Sequence, residues 1–152
     1  MRVQLVPTNN LDQLTPILKE ADDDLARIAS SVEDAANTSY LVMDETICVG
    51  AVMMQWHPAE SEILYIAMVQ AYRGRGYGKA CIEQIRDEAQ HRHTDSLIVG
   101  TANSSLGNIA FYQKCGFRID SIRKDFFSYK PAPVYEDGIQ IRDMLMLRME
   151  IH

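Results

Sequence analysis

Along the chain, short apolar runs bounded by turn-forming residues exchange with longer stretches in which apolar residues recur at helical spacing. RVQLV near the amino terminus reads as a short strand, and NNLDQLTPILKEADDDLARIASSVEDA as one or two helices interrupted near the acidic run Asp22 to Asp24. TSYLVMD and ICVGAVMMQWH, separated by the turn-like DET, predict an antiparallel hairpin that Pro58 ends. EILYIAMV is apolar on both faces, the pattern of a central strand in a covered sheet. From Gly76 to about Arg92, the residues Cys81, Ile82, Ile85 and Ala89 keep to one helical face with polar positions between them. SLIVGTA is then a strand, Leu106 to Cys115 a short helix closed by Gly116, and FRIDSIRKDFF a strand. KPAPVYEDG reads as a loop, and IQIRDMLMLRME alternates well enough to be a final strand. The expected class is α/β, without internal repeat, low-complexity segment or interdomain linker.

Composition narrows the function. The 152 residues, 47% of them hydrophobic, fit one domain spanning 1–152 with a substantial core. A formal charge of −6 and a pI near 5.1 argue against a general nucleic-acid binder, which needs clustered Lys and Arg to neutralise phosphates. The three cysteines, Cys48, Cys81 and Cys115, are odd in number, widely spaced and set in apolar segments, so neither a disulfide framework nor a CxxC metal site is expected. Trp56, His57, His91 and His93 form no recognisable metal set. The amino terminus lacks the apolar core of a signal peptide and no apolar run reaches membrane-spanning length, so the expectation is a cytoplasmic protein that binds no membrane.

Within this acidic body, AYRGRGYGKA crowds three of eight glycines between two arginines and a lysine. Such a turn brings backbone close to an anion. A Walker A loop would need a glycine five residues before the Gly-Lys pair and Ser or Thr after it, where this chain has Arg73 and Ala80. A dinucleotide fingerprint needs GxGxxG, whereas Gly74, Gly76 and Gly78 give GxGxG. What remains is Arg73-x-x-Gly76-x-Gly78 between a buried strand and an amphipathic helix, which resembles the pyrophosphate loop of the GCN5-related N-acetyltransferase (GNAT) family. ILYIAMVQAYRGRGYGKACIEQI is similar to that family's central strand, loop and helix, and NSSLGNIAFYQKCGF to its second block, a helix carrying Tyr-x-x-x-Gly-Phe. Together they cover Glu62 to Phe117. The resemblance implies the GNAT fold: a mixed, mostly antiparallel central sheet of about seven strands flanked by about four helices.

It also implies acetyl-CoA as co-substrate and an amine as acceptor. Arg73, Gly74, Arg75, Gly76, Tyr77, Gly78 and Lys79 would then hold the pyrophosphate, through backbone N–H groups, the helix dipole and rim charge. Ile66, Ala67 and Met68 would lie along the pantetheine arm, with a backbone N–H near Met68 facing the thioester oxygen. Ser105, Asn108 and Tyr112, spaced i, i+3, i+7, share a polar helical stripe. Tyr112 matches the family tyrosine that protonates the departing thiolate. Asn108 or Asn103 would touch the cofactor, and Ser105 occupies the place seven before the tyrosine where the family often has asparagine. Strict alternation puts Glu62 on one face with Leu64, Ile66 and Met68. EILYIAM resembles the strand of the histone-acetylating branch, where a glutamate in that place deprotonates the amine. A water chain would do the same work, leaving Glu62 as an exposed strand-end residue.

The acceptor is expected to be a primary amine of a small molecule or peptide. EADDD and KPAPVYEDG, in regions that shape the acceptor pocket of this fold, would attract a cationic one: a polyamine, an aminoglycoside-like compound or a lysine side chain. Helix initiation and surface charge account for Asp22 to Asp24 as well. A homodimer stays open. Two rival readings are a non-catalytic acyl-CoA-binding or sensing domain of the same fold and a nucleotide-binding regulator.

Overall fold

The computed structural model describes residues 1–152. In chain order the elements are β1 (Val3–Pro7), α1 (Leu11–Leu18), α2 (Leu25–Glu33), β2 (Thr38–Asp44), β3 (Ile47–Gln55) and β4 (Glu60–Met68). A single 3-10 turn, Gln70–Tyr72, leads into α3 (Tyr77–His91). Then come β5 (Ser96–Ala102), α4 (Leu106–Lys114), β6 (Arg118–Arg123), β7 (Tyr135–Glu136), β8 (Ile139–Gln140) and β9 (Met144–Glu150). Seven strands make one sheet in the order β1-β2-β3-β4-β5-β9-β6, and β7 and β8 pair as a separate ribbon. This is the expected α/β architecture. No helix is long and apolar enough to cross a membrane. The chain forms two compact units, Met1–Leu97 with Ile151–His152, and Ile98–Glu150.

In the first unit, β1 to β4 form consecutive antiparallel ladders. The acidic run breaks the early helical pattern as expected, because Asn10 caps α1 and Asp24 caps α2, each accepting backbone N–H bonds. Leu14, Leu18, Ile28 and Val32 from these helices bury themselves against Leu41, Ala51 and Met53 of the sheet. Burying side chains of this size contributes about 1.5–3 kcal/mol each. Helix α3 buries Cys81, Ile82, Ile85 and Ala89, the face foreseen from spacing, and packs on β1 and β4. Gly50 is required by close approach. A Cβ there would stand 2.6 Å from the carbonyl oxygen of Ala67 on β4.

One expectation fails on β4. Met53 faces Tyr65 but Met54 faces Ile63, so Leu64 is an extra residue and the strand is bulged there. Opposed residues of an antiparallel pair share a face. Glu62, opposite Gln55, therefore lies with Tyr65 and Ala67 on the face that carries Ala51 and Met53, the side covered by α1 and α2. Ile66 and Met68 lie on the other face. Strict alternation had grouped all four residues, and the bulge is what separates them.

In the second unit β6 pairs antiparallel with β9, with a further register shift between Ile119 and Ser121. FRIDSIRKDFF is extended only as far as Arg123: Asp125 takes φ +56 and its N–H bonds Asp143 Oδ1 at 2.9 Å, turning the chain away. KPAPVYEDG is not wholly loop. Asp137 and Gly138, both at positive φ, make the two-residue turn of the β7–β8 ribbon, as Asp-Gly does in type I′ hairpins. IQ thus belongs to the ribbon, and the last strand begins at Met144.

Candidate active site

The glycine turn joins β4 to α3. Gly74 takes φ +74 and Gly76 φ +88, a region that L side chains enter at a cost. A Cβ at Gly74 would meet nothing within 4 Å, and one at Gly76 only Met1 Cε at 4.0 Å, so the turn is open on its outer side. Gly76 is the N-cap of a 15-residue helix and offers no side chain to its first N–H groups. Gly78 follows inside the first helical turn, and Lys79 is exposed beside it. These features make a basic, unblocked helix start.

The turn is braced from below by groups the sequence did not connect. Tyr77 Oη donates to Asp44 Oδ2 at 2.6 Å, and Asp44 Oδ1 also accepts the Arg2 N–H at 2.9 Å. The tyrosine bond holds the Asp44 carboxyl below its ordinary range and raises the Tyr77 phenol. Tyr72 meets Tyr77 edge-on at 6.1 Å, and the Arg75 guanidinium lies 5.7 Å from the Tyr72 ring centre. Arg73 turns back. Its Nε donates to the Met68 carbonyl at 3.1 Å and its outer nitrogen lies 3.7 Å from Glu20.

On β4, Ile66, Ala67 and Met68 pair with Val52, Ala51 and Gly50 of β3, and all three are half-buried. Glu62 is half-buried as well. Tyr65 donates its hydroxyl to Asp22 Oδ2 at 2.9 Å, and Asp22, whose side chain is only 13% exposed, lies 3.6 Å from Arg27. Burial first, and this hydrogen bond second, push the Tyr65 phenol up to about 12. Arg27 also reaches Asp24 at 3.8 Å. Within the run Glu20 thus meets Arg73 and Asp22 and Asp24 share Arg27, while Asp23 is exposed, so the run keeps part of its negative charge.

In the second unit the Tyr-x-x-x-Gly-Phe motif has a local structural account. The Phe117 N–H bonds the Tyr112 carbonyl at 3.0 Å and the Gly116 N–H bonds the Gln113 carbonyl at 3.0 Å, with Gly116 at φ +106. That is a Schellman cap. The Tyr112 and Phe117 rings meet at 5.8 Å across it, and Phe111 adds a second edge contact at 5.2 Å. Tyr112 is 6% exposed.

The polar stripe is divided. Asn108 is exposed, but Ser105 Oγ donates to Glu136 Oε1 at 2.8 Å, and the buried Ser104 hydroxyl reaches the same oxygen at 2.9 Å. Asn103 serves the chain: its amide donates to the Gln140 carbonyl, and its Oδ1 accepts from the N–H groups of Arg142 and Asp143. Read as loop, YEDG offers Glu136 only as surface charge and not as a partner of Ser104 and Ser105. The Asp-Gly turn beside it was the available signal. No group of His, Cys, Asp and Glu that could hold a metal is present.

The comparisons with known proteins agree with this geometry. The family model described as the acetyltransferase (GNAT) family matches residues 7–117. An uncharacterized N-acetyltransferase of Bacillus subtilis, YvbK, is 32% identical over 152 residues, covering 99% of this chain and 97% of its own. Among solved structures, a GNAT family acetyltransferase from Elizabethkingia anophelis, crystallised with acetyl-CoA, superposes with a TM-score of 0.87 at 30% identity over 98% of each chain. An acetyltransferase of Bacillus subtilis in complex with CoA gives 0.88 at 30% identity over 99% of each. On a family match over most of its length and relatives near one-third identity over nearly all of it, the chain belongs to the GNAT family of acetyltransferases, whose acyl donor is acetyl-CoA.

Proposed function

We propose that this protein moves an acetyl group from acetyl-CoA to a primary amine of a small molecule or peptide by direct attack of the amine on the thioester. The observation that carries the reading is the glycine turn: two positive-φ glycines open on one side, leading into an uncapped 15-residue helix with Arg75 and Lys79 at hand. A diphosphate fits it, because the first N–H groups of a helix need acceptors and its dipole favours negative charge. The relatives crystallised with acetyl-CoA and CoA support the same ligand for this chain.

The remaining roles follow from chemistry. Backbone N–H near Met68 stabilises the oxyanion that forms when the amine attacks, a contribution of about 3–4 kcal/mol in comparable sites. Ile66 and Ala67 supply backbone groups for the pantetheine arm. Glu62, on the face shared with Tyr65, receives the proton of the incoming ammonium directly or through water. Tyr112 gives its hydroxyl proton to the departing thiolate. Arg73 reaches the diphosphate by leaving Glu20, an exposed contact of the kind worth about 0–1 kcal/mol.

A second reading, a non-catalytic acyl-CoA-binding domain, draws support from the burial of Tyr112 within its helix cap. One experiment separates them: thermal stabilisation by coenzyme A together with thiol release from acetyl-CoA in the presence of an amine panel. Stabilisation with amine-dependent thiol release is the expected result. Stabilisation without release from any amine refutes the enzyme, and the absence of stabilisation refutes both readings.

A further inference from the structure

Helix α4 carries Tyr112, yet its own sequence does little to start it. The N-cap, Ser105, makes no capping hydrogen bond with its side chain, and no acidic residue stands in the first turn. A helix start of this kind leaves its first N–H groups and the positive end of its dipole without a local answer. The missing carboxylate comes from 31 positions away. Glu136, on β7, accepts the Ser105 hydroxyl at 2.8 Å and the fully buried Ser104 hydroxyl at 2.9 Å, both on Oε1. Hydrogen bonds to an ionised acceptor are roughly twice as strong as neutral ones, and a buried hydroxyl stripped of its acceptor is costly. Glu136 is itself placed by the Asp137–Gly138 turn, whose two positive-φ residues fold β8 back and set Ile139 opposite it.

Asn103 completes the hold on the helix start. Its amide donates to the Gln140 carbonyl, its Oδ1 accepts the N–H groups of Arg142 and Asp143, and its own N–H bonds the Asp143 carbonyl at 3.0 Å. Each residue that leads into α4 is thus tied to the stretch from 136 to 143. At the other end Gly116 and Phe117 close the helix, and the Phe117 ring meets Tyr112 at 5.8 Å. Tyr112 lies about 10 Å along the helix from Ser105. A helix of nine residues moves as a rigid piece, so a shift at its start is carried to Tyr112.

We propose that Glu136 is a positioning residue for acetyl transfer: by holding Ser104 and Ser105 it sets where α4 begins, and so where the Tyr112 hydroxyl stands when the thiolate leaves. It acts on the helix, not on the acceptor. The inference rests on the proton-donor role given to Tyr112 above. Its test measures acetyl-CoA binding by calorimetry and steady-state kinetics with propylamine, spermidine and lysine for Glu136→Ala, Glu136→Gln and Tyr112→Phe, and for each Glu136 variant combined with Tyr112→Phe. The calorimetric stoichiometry counts folded sites, so kcat is expressed per competent molecule. Glu136→Ala loses a cap, which should lower Tm by roughly 2–4 °C. Its kcat should fall about 10- to 100-fold, as when a reacting group is misplaced by about 1 Å, while amine KM and acetyl-CoA affinity stay within about threefold. Glu136→Gln keeps an oxygen that accepts both hydroxyls and should hold kcat within about threefold of the parent. In the Tyr112→Phe background Glu136→Ala should change kcat less than about twofold, because no proton donor is left to misplace. Glu136→Asp, one methylene too short to reach both hydroxyls, carries the same expectation as alanine and replaces it should the alanine variant not fold. A lowered Tm with unchanged kcat, an equal fall in the Tyr112→Phe background, or a glutamine variant as slow as alanine each overturns the proposal. Full kcat in Tyr112→Phe, or acetyl-CoA binding with no turnover of any of the three amines, instead refutes the reading on which it rests and removes the proposal with it.

Discussion

Gly76 allows the proposed anion site to be separated from the backbone that builds it. At φ +88 and ψ +4 it caps α3, and a Cβ would meet only Met1 Cε at 4.0 Å. Gly76→Ala therefore adds no clash and pays only left-handed strain, about 1–2 kcal/mol. For a chain of this length about 1 kcal/mol moves Tm by roughly 2–4 °C, so a fall of about 2–8 °C is expected. Gly76→Asp should fall less, because aspartate enters the left-handed region more readily than alanine. Coenzyme A binding should reverse the order. Alanine leaves the N–H groups and the charge unaltered, whereas aspartate sets a carboxylate beside the diphosphate. Two like charges about 4 Å apart repel by about 1 kcal/mol in water and about 4 kcal/mol at the effective dielectric of a protein surface. At 1.4 kcal/mol per factor of ten, the Asp variant should bind roughly 5- to 1,000-fold more weakly. Calorimetric unfolding and isothermal titration with coenzyme A give both numbers for each variant. A Gly76→Asp protein that folds and binds coenzyme A like the parent refutes the pyrophosphate assignment.

Tyr112→Phe should leave coenzyme A binding intact, since phenylalanine keeps the edge contacts with Phe111 and Phe117, and should lower kcat about 100- to 10,000-fold under chemistry-limited conditions; full kcat would make Tyr112 a packing residue alone. Tyr77→Phe should weaken acetyl-CoA binding more than it changes kcat and should move the Asp44 carboxyl titration, followed by NMR, part of the way back up toward 3.8, because the Tyr77 hydrogen bond is the largest of the interactions that lower it and the Arg2 N–H bond remains. A lowered carboxyl stabilises above its unfolded pKa, so the Tm gap between parent and Tyr77→Phe should be full near neutrality and close as acid protonates Asp44; a gap independent of pH counts against the assignment. Tyr65, raised to about 12 by burial first and the Asp22 hydrogen bond second, has the opposite sign: its contribution is complete below about 10 and is lost as pH rises from there toward 12, so the Tm gap to Tyr65→Phe should shrink across that window, and a constant gap would refute the raised phenol.

Much of the fold was legible because it rests on local rules. Asp24 lies in the acidic run read as a helix start, and Gly116 where a helix end needs positive φ. The α3 face of Cys81, Ile82, Ile85 and Ala89 follows from a period that three-dimensional context did not alter. The glycine turn was legible for the same reason: its conformation is a property of the glycines themselves. Even the Tyr-x-x-x-Gly-Phe block proves to be one local object, a Schellman cap with its ring contact, which explains why six consecutive residues identify it.

What was illegible depends on partners distant in sequence. The bulge at Leu64 is a property of the β3–β4 ladder, not of EILYIAM, and one extra residue moves Glu62 to the face of Tyr65 and the paired helices. Asn103 and Ser105 look available to a cofactor until residues 136 to 143 return to use them. Charge behaves in the same way. EADDD reads as a source of negative potential, but Arg73 lies 53 positions beyond Glu20 and still meets it, and Arg27 folds back on both Asp22 and Asp24. A carboxylate alone with a guanidinium within 4 Å presents a dipole rather than a charge to an approaching amine, but Arg27 is shared by two carboxylates and Asp23 is exposed, so the run keeps only part of the charge its sequence suggests. The field that steers an acceptor is thus set by the charges the fold leaves unmatched, not by those the sequence contains.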